Sequence, residues 1–219
     1  MQRITAELAL TLQEAAAGLA PLDRALRIAS AVSGAAVEAV ADWPIDRRDR
    51  VLIAARAAAF GRHAGVMKDC PACGARAEAE VDLAALLAAP ETDPWLDWNG
   101  RRLALRAPSS RAIAAAAVSG ADVSSDCCDE IVPADALEAS LLAARPLLDV
   151  RLAIDCPECG HGFAPRFDIT ACIWADIEAA AARLLDDIHA LALAYHWSEA
   201  AILALGPARR AAYLDRIAA

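Results

Sequence analysis

No run of eighteen apolar residues occurs in this chain, so despite a mean hydropathy of +0.34 it offers no segment able to cross a bilayer as a helix. Aromatic residues are scarce at 5%, while hydrophobic residues as a whole reach 58%, much of it alanine. Few large rings and many small side chains predict a helix-rich core packed at close range. The opening stretch MQRITAELALTLQEAAAG carries Glu7 and Glu14 and lacks the basic start and apolar block of a signal peptide, which predicts a cytoplasmic protein. Lysine is nearly missing too, since 20 of the 21 basic residues are arginine. The chain also lacks G-x-S-x-G, a P-loop, a dinucleotide-binding glycine fingerprint and HExxH. No catalytic constellation stands out, and the expectation is a protein that is not an enzyme and takes no small-molecule substrate.

Excess positive charge is absent as well. The net charge is −9, and its distribution is uneven. Up to Cys73 nine basic residues face eight acidic ones; from Gly74 to Asp155 seven face fourteen; from Cys156 onward five face eight. Nucleic-acid binding relies on Lys and Arg neutralising phosphates, so the acidic middle speaks against it.

What the chain does have is the same six-residue phrase twice. Residues 69–74 read DCPACG and residues 155–160 read DCPECG, an offset of 86. The cysteines total seven, and an odd count argues against a secreted disulfide framework. Two CxxC pairs point to a metal instead. Pro71 and Pro157 fix φ for a tight turn after the first cysteine of each pair. Gly74 and Gly160 permit the positive φ that lets backbone amides turn toward sulfur. Each phrase is therefore a knuckle aiming two thiolates at one point. Together Cys70, Cys73, Cys156 and Cys159 form the closed Cys₄ set preferred by structural zinc, with iron able to use the same sulfurs. A redox dithiol wants a helix N-terminus at the cysteines, whereas strand-like sequence follows each glycine here. The adjacent Cys127 and Cys128 read as loop or packing thiols, and Cys172 beside Ile173 and Trp174 as core. His161, close to the second knuckle, reads as a surface histidine.

The echo extends past the knuckles. Asp82 and Asp168 share the offset, as do Leu83 and Ile169. Ala77, Ala79, Val81 and Leu83 alternate with polar residues, as do Phe163, Phe167 and Ile169, and before the second knuckle Val150, Leu152 and Ile154. Strands are expected there, with Asp82 and Asp168 as N-caps of the following helices. Between the knuckles, Trp98-Asn99-Gly100-Arg101 is a hairpin signal flanked by Leu96, Leu103 and Leu105. Ser109 or Ser110 caps a short helix over 113–118, Pro133 opens one over 134–144, and SGADVSSDCCDE reads as a loop.

Both ends are helical in pattern. Pro21 opens a helix with Leu22, Ala25, Leu26 and Ala29 on one face. Trp43-Pro44 breaks the chain, and Asp46 is expected to cap the next helix, which ends at Gly61. Arg47, Arg48 and Arg50 near its start form a basic cluster, read as a partner contact or a solvated face. Ile173 to Tyr195 is the longest stretch at helical spacing. Ser198 caps a short helix, and Pro207 opens the last one. The expected architecture is α+β: N- and C-terminal helices around a small antiparallel β region stapled by the Cys₄ zinc site. Its segments are a helical region 1–68, a zinc-knuckle β region 69–171 with an inserted hairpin and helices, and a helical region 172–219.

The segment DIHALALAYHWSEAAILALGPARRAAYLDRI resembles the C-terminal signature of the T-even-phage-type baseplate hub assembly family, found in contractile phage tails and phage-tail-like contractile injection systems. The matching positions are His189, Leu191, Ala192, Tyr195, Trp197, Glu199, Ile202, Leu203, Leu205, Arg209, Arg210, Tyr213 and Leu214. WPIDRRDRVLIAARAAAFG is similar to the family's stretch before the first knuckle, departing from its L-P-I-G-E-R-D form at Trp43, Asp46 and Arg47. The resemblance implies a non-enzymatic assembly chaperone or baseplate component. Its partners would be hub, spike or tube proteins, met through Tyr195, Trp197, Glu199, Arg209, Arg210 and Tyr213. The alternative class is a zinc-ribbon module in nucleic-acid handling or transcription, which would need a basic face near the knuckles.

Overall fold

The structure, a computed structural model, describes residues 1–217. It is an α+β fold in which N- and C-terminal helices flank small antiparallel sheets, as expected. The chain begins with α1 (Ala6–Ala16), α2 (Pro21–Ser33), α3 (Val37–Ala41) and α4 (Ile45–Phe60). Thr5 caps α1 by accepting from the Leu8 amide, and Pro21 stands in the first turn of α2. Gly34 ends α2 in the left-handed conformation.

A hairpin follows, β1 (His63–Asp69) with β2 (Arg76–Asp82), and then α5 (Leu83–Ala88). The segment between the knuckles supplies β3 (Trp95–Trp98), β4 (Arg101–Ala104), α6 (Ser110–Ser119), α7 (Ser124–Cys127) and α8 (Ala134–Ala144). A second, shorter hairpin pairs β5 (Ile154–Asp155) with β6 (Gly162–Phe163). The chain closes with α9 (Ile169–Tyr195), α10 (Glu199–Leu203) and α11 (Pro207–Ile217).

Local chemistry explains most boundaries. Asp82 caps α5 by accepting from Ala84 and Ala85, and Asp168 caps α9 through Ala171. Trp98 pairs with Arg101 around Asn99 and Gly100, whose φ of 52° and 77° are those of a type I′ turn. Ser109 caps α6 and Ser198 caps α10.

Four local readings change. Pro44, not Asp46, occupies the cap position of α4, and Asp46 lies inside the first turn, 3% exposed. The polar stretch 119–130 holds the four-residue helix α7. The extended run 150–154 pairs regularly only at β5, because Pro165 opposite it has no amide to donate. Beyond β5 it continues as an Arg151–Arg166 bridge and a bond from the Phe167 amide to the Val150 carbonyl (2.8 Å). Finally, β1 precedes the first knuckle where no strand is expected. Its inward positions are Ala64, Val66 and Lys68, too small or too polar to read as alternation.

The largest core gathers α1, α2, α4, the first half of α9 and the base of the β1–β2 hairpin, so residues from all three sequence segments share it. Ile28, Val32, Leu52, Ile53, Ile173 and Ile177 are almost fully buried in it. Each such side chain contributes roughly 1.5–3 kcal/mol of transfer free energy. A second cluster lies inside the insert, where Leu103 and Leu105 meet Leu137, Leu141, Cys127 and Cys128. A third packs Leu184, Ile188 and Leu191 of α9 against Ile202 and against Leu10 of α1.

The basic cluster at the start of α4 joins the insert to this body. Arg48 is 8% exposed and donates to the Ser110 hydroxyl (2.7 Å). Arg50 donates to the Leu87 carbonyl (2.8 Å) and pairs with Glu91. Only Arg47 stays exposed, its guanidinium 4.2 Å from the Trp43 ring. Two of the three arginines thus serve the fold, and neither is spread on a solvated face.

Candidate metal centre

Each knuckle is the turn of a hairpin. Asp69 pairs with Arg76 at the end of β1–β2, and Asp155 pairs with Gly162 at the end of β5–β6. The two turns close with the same bonds. The Gly74 amide donates to the Cys70 carbonyl at 2.9 Å, and the Gly160 amide to the Cys156 carbonyl at 2.9 Å. The Cys70 amide donates to Ala75 at 2.8 Å and the Cys156 amide to His161 at 3.0 Å. Gly74 and Gly160 take φ of 74° and 70°, which a side chain would strain.

With β5 lying beside β2, the two turns face each other. The sulfurs of Cys70 and Cys159 are 3.8 Å apart, those of Cys73 and Cys156 3.6 Å, and all four lie within 4.8 Å of one another. A tetrahedral ion with metal–sulfur bonds of about 2.3 Å requires sulfur–sulfur separations of about 3.8 Å. The four cysteines, 82 residues apart across the insert, therefore form a cluster capable of coordinating a metal ion.

Electrostatics agree with the geometry. The Cys159 amide, with that of Glu158, donates to the Cys156 sulfur and brings that thiol down to about 7 despite its burial. The Ala75 amide favours the Cys73 thiolate, but hydrogen bonds with the sulfurs of Cys159 and Cys156 outweigh it and push that thiol up to about 12. The His161 amide and the Cys73 sulfur favour the Cys159 thiolate, yet desolvation and the sulfurs of Cys156 and Cys70 leave that thiol raised. Four thiols this close cannot all ionise by themselves. A divalent cation among them removes the repulsion and stabilises every thiolate. Such a site would be coordinatively closed, leaving no position for substrate or activated water.

The other sequence candidates lie elsewhere. Cys127 and Cys128 are buried in the insert core, where desolvation raises the Cys127 thiol, and Cys172 packs against the main core. His161 is exposed and stacks on Phe163 with ring centres 6.4 Å apart. His196 ends α9 with a left-handed φ of 52°.

The C-terminal positions come together at the end of α9. Tyr195 stacks on Trp197 at 4.8 Å, and Tyr213 meets their rings edge-on at 5.4 Å and 4.9 Å. All three rings are half-buried, and Glu199 and Arg209 are exposed on the adjoining short helices. Arg210 points inward instead. It is 3% exposed and donates to the Leu205 carbonyl (3.0 Å) and to Glu7 (2.6 Å). That pairing, across 203 residues, has no local signal in the sequence.

No family model, curated protein or solved structure matches this chain. No helix among the described residues is long and apolar enough to cross a membrane.

Proposed function

We propose that this protein is a non-enzymatic assembly or structural protein of a contractile-tail or contractile-injection-system baseplate, acting as a hub assembly chaperone or as a baseplate component. The Cys₄ centre holds a structural zinc. Four soft thiolates near tetrahedral spacing suit zinc, and its role is to staple two hairpins so that the long insert and the helical body keep one relative position.

The observation that carries this reading is the aromatic cluster of Tyr195, Trp197 and Tyr213. These are positions of the stretch that resembles the baseplate-family signature, and their rings meet at the end of α9, with Glu199 and Arg209 exposed on the helices that follow. Half-buried aromatic rings with flanking charge are the composition of a protein-binding hot spot. The acidic insert supports the same reading by disfavouring nucleic acid.

The test has two arms. In a strain that makes contractile particles, deletion of the gene should abolish or misassemble the baseplate, and tagged protein should co-purify with hub, spike or tube components. Particles of normal structure and contractile activity from the deletion strain would sink the proposal. Metal analysis should return one zinc per chain; one iron in its place would keep the staple and change the ion.

A further inference from the structure

The insert carries a surface that neither the metal centre nor the aromatic cluster uses. Between Arg111 and Arg145 the chain has no lysine, arginine or histidine, and it has six acidic residues. Two features of this stretch lie side by side.

The first is α6. Apart from Ser110 it buries no residue, although its sequence from Ala112 to Val118 is wholly apolar. Its first turn is tied down. Ser109 caps it, Arg48 donates to the Ser110 hydroxyl (2.7 Å), and Arg111 pairs with Asp42 (2.5 Å). Beyond that turn no other helix or strand among the described residues packs along it, and Val118 is 91% exposed. Helices shorter than about 12–15 residues are marginal in water and draw their stability from packing an apolar face. An apolar helix of 10 residues without such packing is one side of an interface.

The second is a recess at the foot of α6. Pro108 and Asp122, which flank that helix in the chain, both line it. Its volume is about 260 Å³, and its floor is Leu137, Leu141 and Leu148, all buried, with half-buried Leu142. A cavity of about 150 Å³ holds a benzene-sized group, so this one accepts a large apolar side chain. Asp122 and Glu138 line the same recess and are exposed. Ser124 donates to Asp122 through its hydroxyl (2.6 Å) and its amide (3.0 Å), and no cation among the described residues pairs with either carboxylate. Of the six acids only Asp129 and Glu130 are paired, with Arg106 and Arg101.

An empty apolar recess, an uncovered apolar helix and unmet negative charge together specify a partner. Nucleic acid and an anionic membrane would be repelled. A second copy of the chain would bring the same six acids and no base to the contact. Charge complementarity selects a cationic partner instead. We propose that this face of the insert docks a basic amphipathic segment of a partner protein. One bulky apolar side chain of that segment fills the recess, lysine or arginine beside it meets Asp122 and Glu138, and its apolar face covers α6. The small side chains of α6 let the partner's backbone come close. None of these residues belongs to the aromatic cluster at the end of α9, so this contact is independent of the one made there.

Fluorescence anisotropy with the metal-loaded full chain and three labelled synthetic peptides tests this. The first peptide is an amphipathic helix of leucine and lysine. The second has glutamate for every lysine, and the third has serine for every leucine. The leucine–lysine peptide should bind saturably, one per chain, and the other two about tenfold or more weakly, because each lacks either the charge or the apolar anchor. Glu138→Lys and Val118→Asp alter exposed side chains, so each should weaken that peptide severalfold with the melting temperature unchanged. Glu14→Lys, on an exposed position of α1, makes the same change of net charge and should bind as the parent does. No saturable binding, equal affinity for the glutamate peptide, or equal loss in Glu14→Lys and Glu138→Lys would each overturn the assignment. So would a concentration-dependent dimer, seen by sedimentation, that Val118→Asp dissolves, since a second copy would then be the occupant.

Discussion

Arg210 and Cys156 show how differently two residues can be readable. Cys156 declares its role by spacing, since thiols in paired CPxCG turns have few uses. Cys156→Ser should reduce bound metal to a small fraction and lower stability by several kcal/mol, of the order of the binding energy lost, as seen by metal analysis and thermal unfolding. Arg210 sits in a stretch whose resemblance to a family signature suggests an outward role, yet it is spent on Glu7 and Leu205. Arg210→Ala should cost about 2 kcal/mol, because it removes a buried group and leaves the Leu205 carbonyl without its partner. The same pair makes a pH prediction. The Arg210 hydrogen bond lowers the Glu7 carboxyl below its ordinary value. A depressed carboxylate stabilises the fold fully above its unfolded pKa, and the contribution fades as pH falls through the folded one. Glu7 is 40% exposed, so solvent screens the pair and the effect stays below about 1 kcal/mol. Comparing wild type with Glu7→Gln, the stability gap should be present at neutral pH and close in acid. A gap that widens on acidification would contradict the assignment.

At the scale of elements, the knuckle hairpins and α9 depend on single backbone devices. Gly74→Ala and Gly160→Ala add no clash, since nothing lies within 4 Å of the new methyl, but each forces a positive φ on a side chain. Each should cost about 1–2 kcal/mol and weaken metal binding, measurable by competition with a chelating dye. Asp168→Ala removes the cap of a 27-residue helix and should cost about 1 kcal/mol, while Asp168→Asn should restore most of it. Elements of this kind were legible because their signals are local: Asp before an apolar run, Asn-Gly between alternating segments, Pro then Gly around cysteine. β1 was not legible, because Ala64 and Lys68 as inward residues give no alternating pattern. Its pairing is decided by β2 across the turn. Asp46 misled for a related reason, since an acidic residue after Pro suits either the cap or the first turn. Burial beneath Arg145 decided between them.

Across the whole molecule, the clusters predict how metal loss spreads. The core of α1, α2, α4 and α9 is made mainly by helix packing, whereas the knuckle ends of the two hairpins hold little apolar surface. Chelation should therefore leave most of the helical circular dichroism intact and abolish amide-exchange protection around 66–79 and 152–164. Global loss of helix on metal removal would show the staple to be integral to the main core. The sequence by itself determined the class of fold, the four cysteines of the cluster, the capped helices and the Asn-Gly hairpin. Those follow from backbone preferences and spacing within a few residues, which hold wherever the segment lies. Tertiary structure alone decided that Arg48 and Arg50 grip the insert, that Arg210 reaches Glu7, and that Asp46 lies buried beneath Arg145. Each of these is a meeting of groups far apart in the chain. Their energies come from burial and charge in a shared space, and no local pattern records which distant side chain will supply the partner.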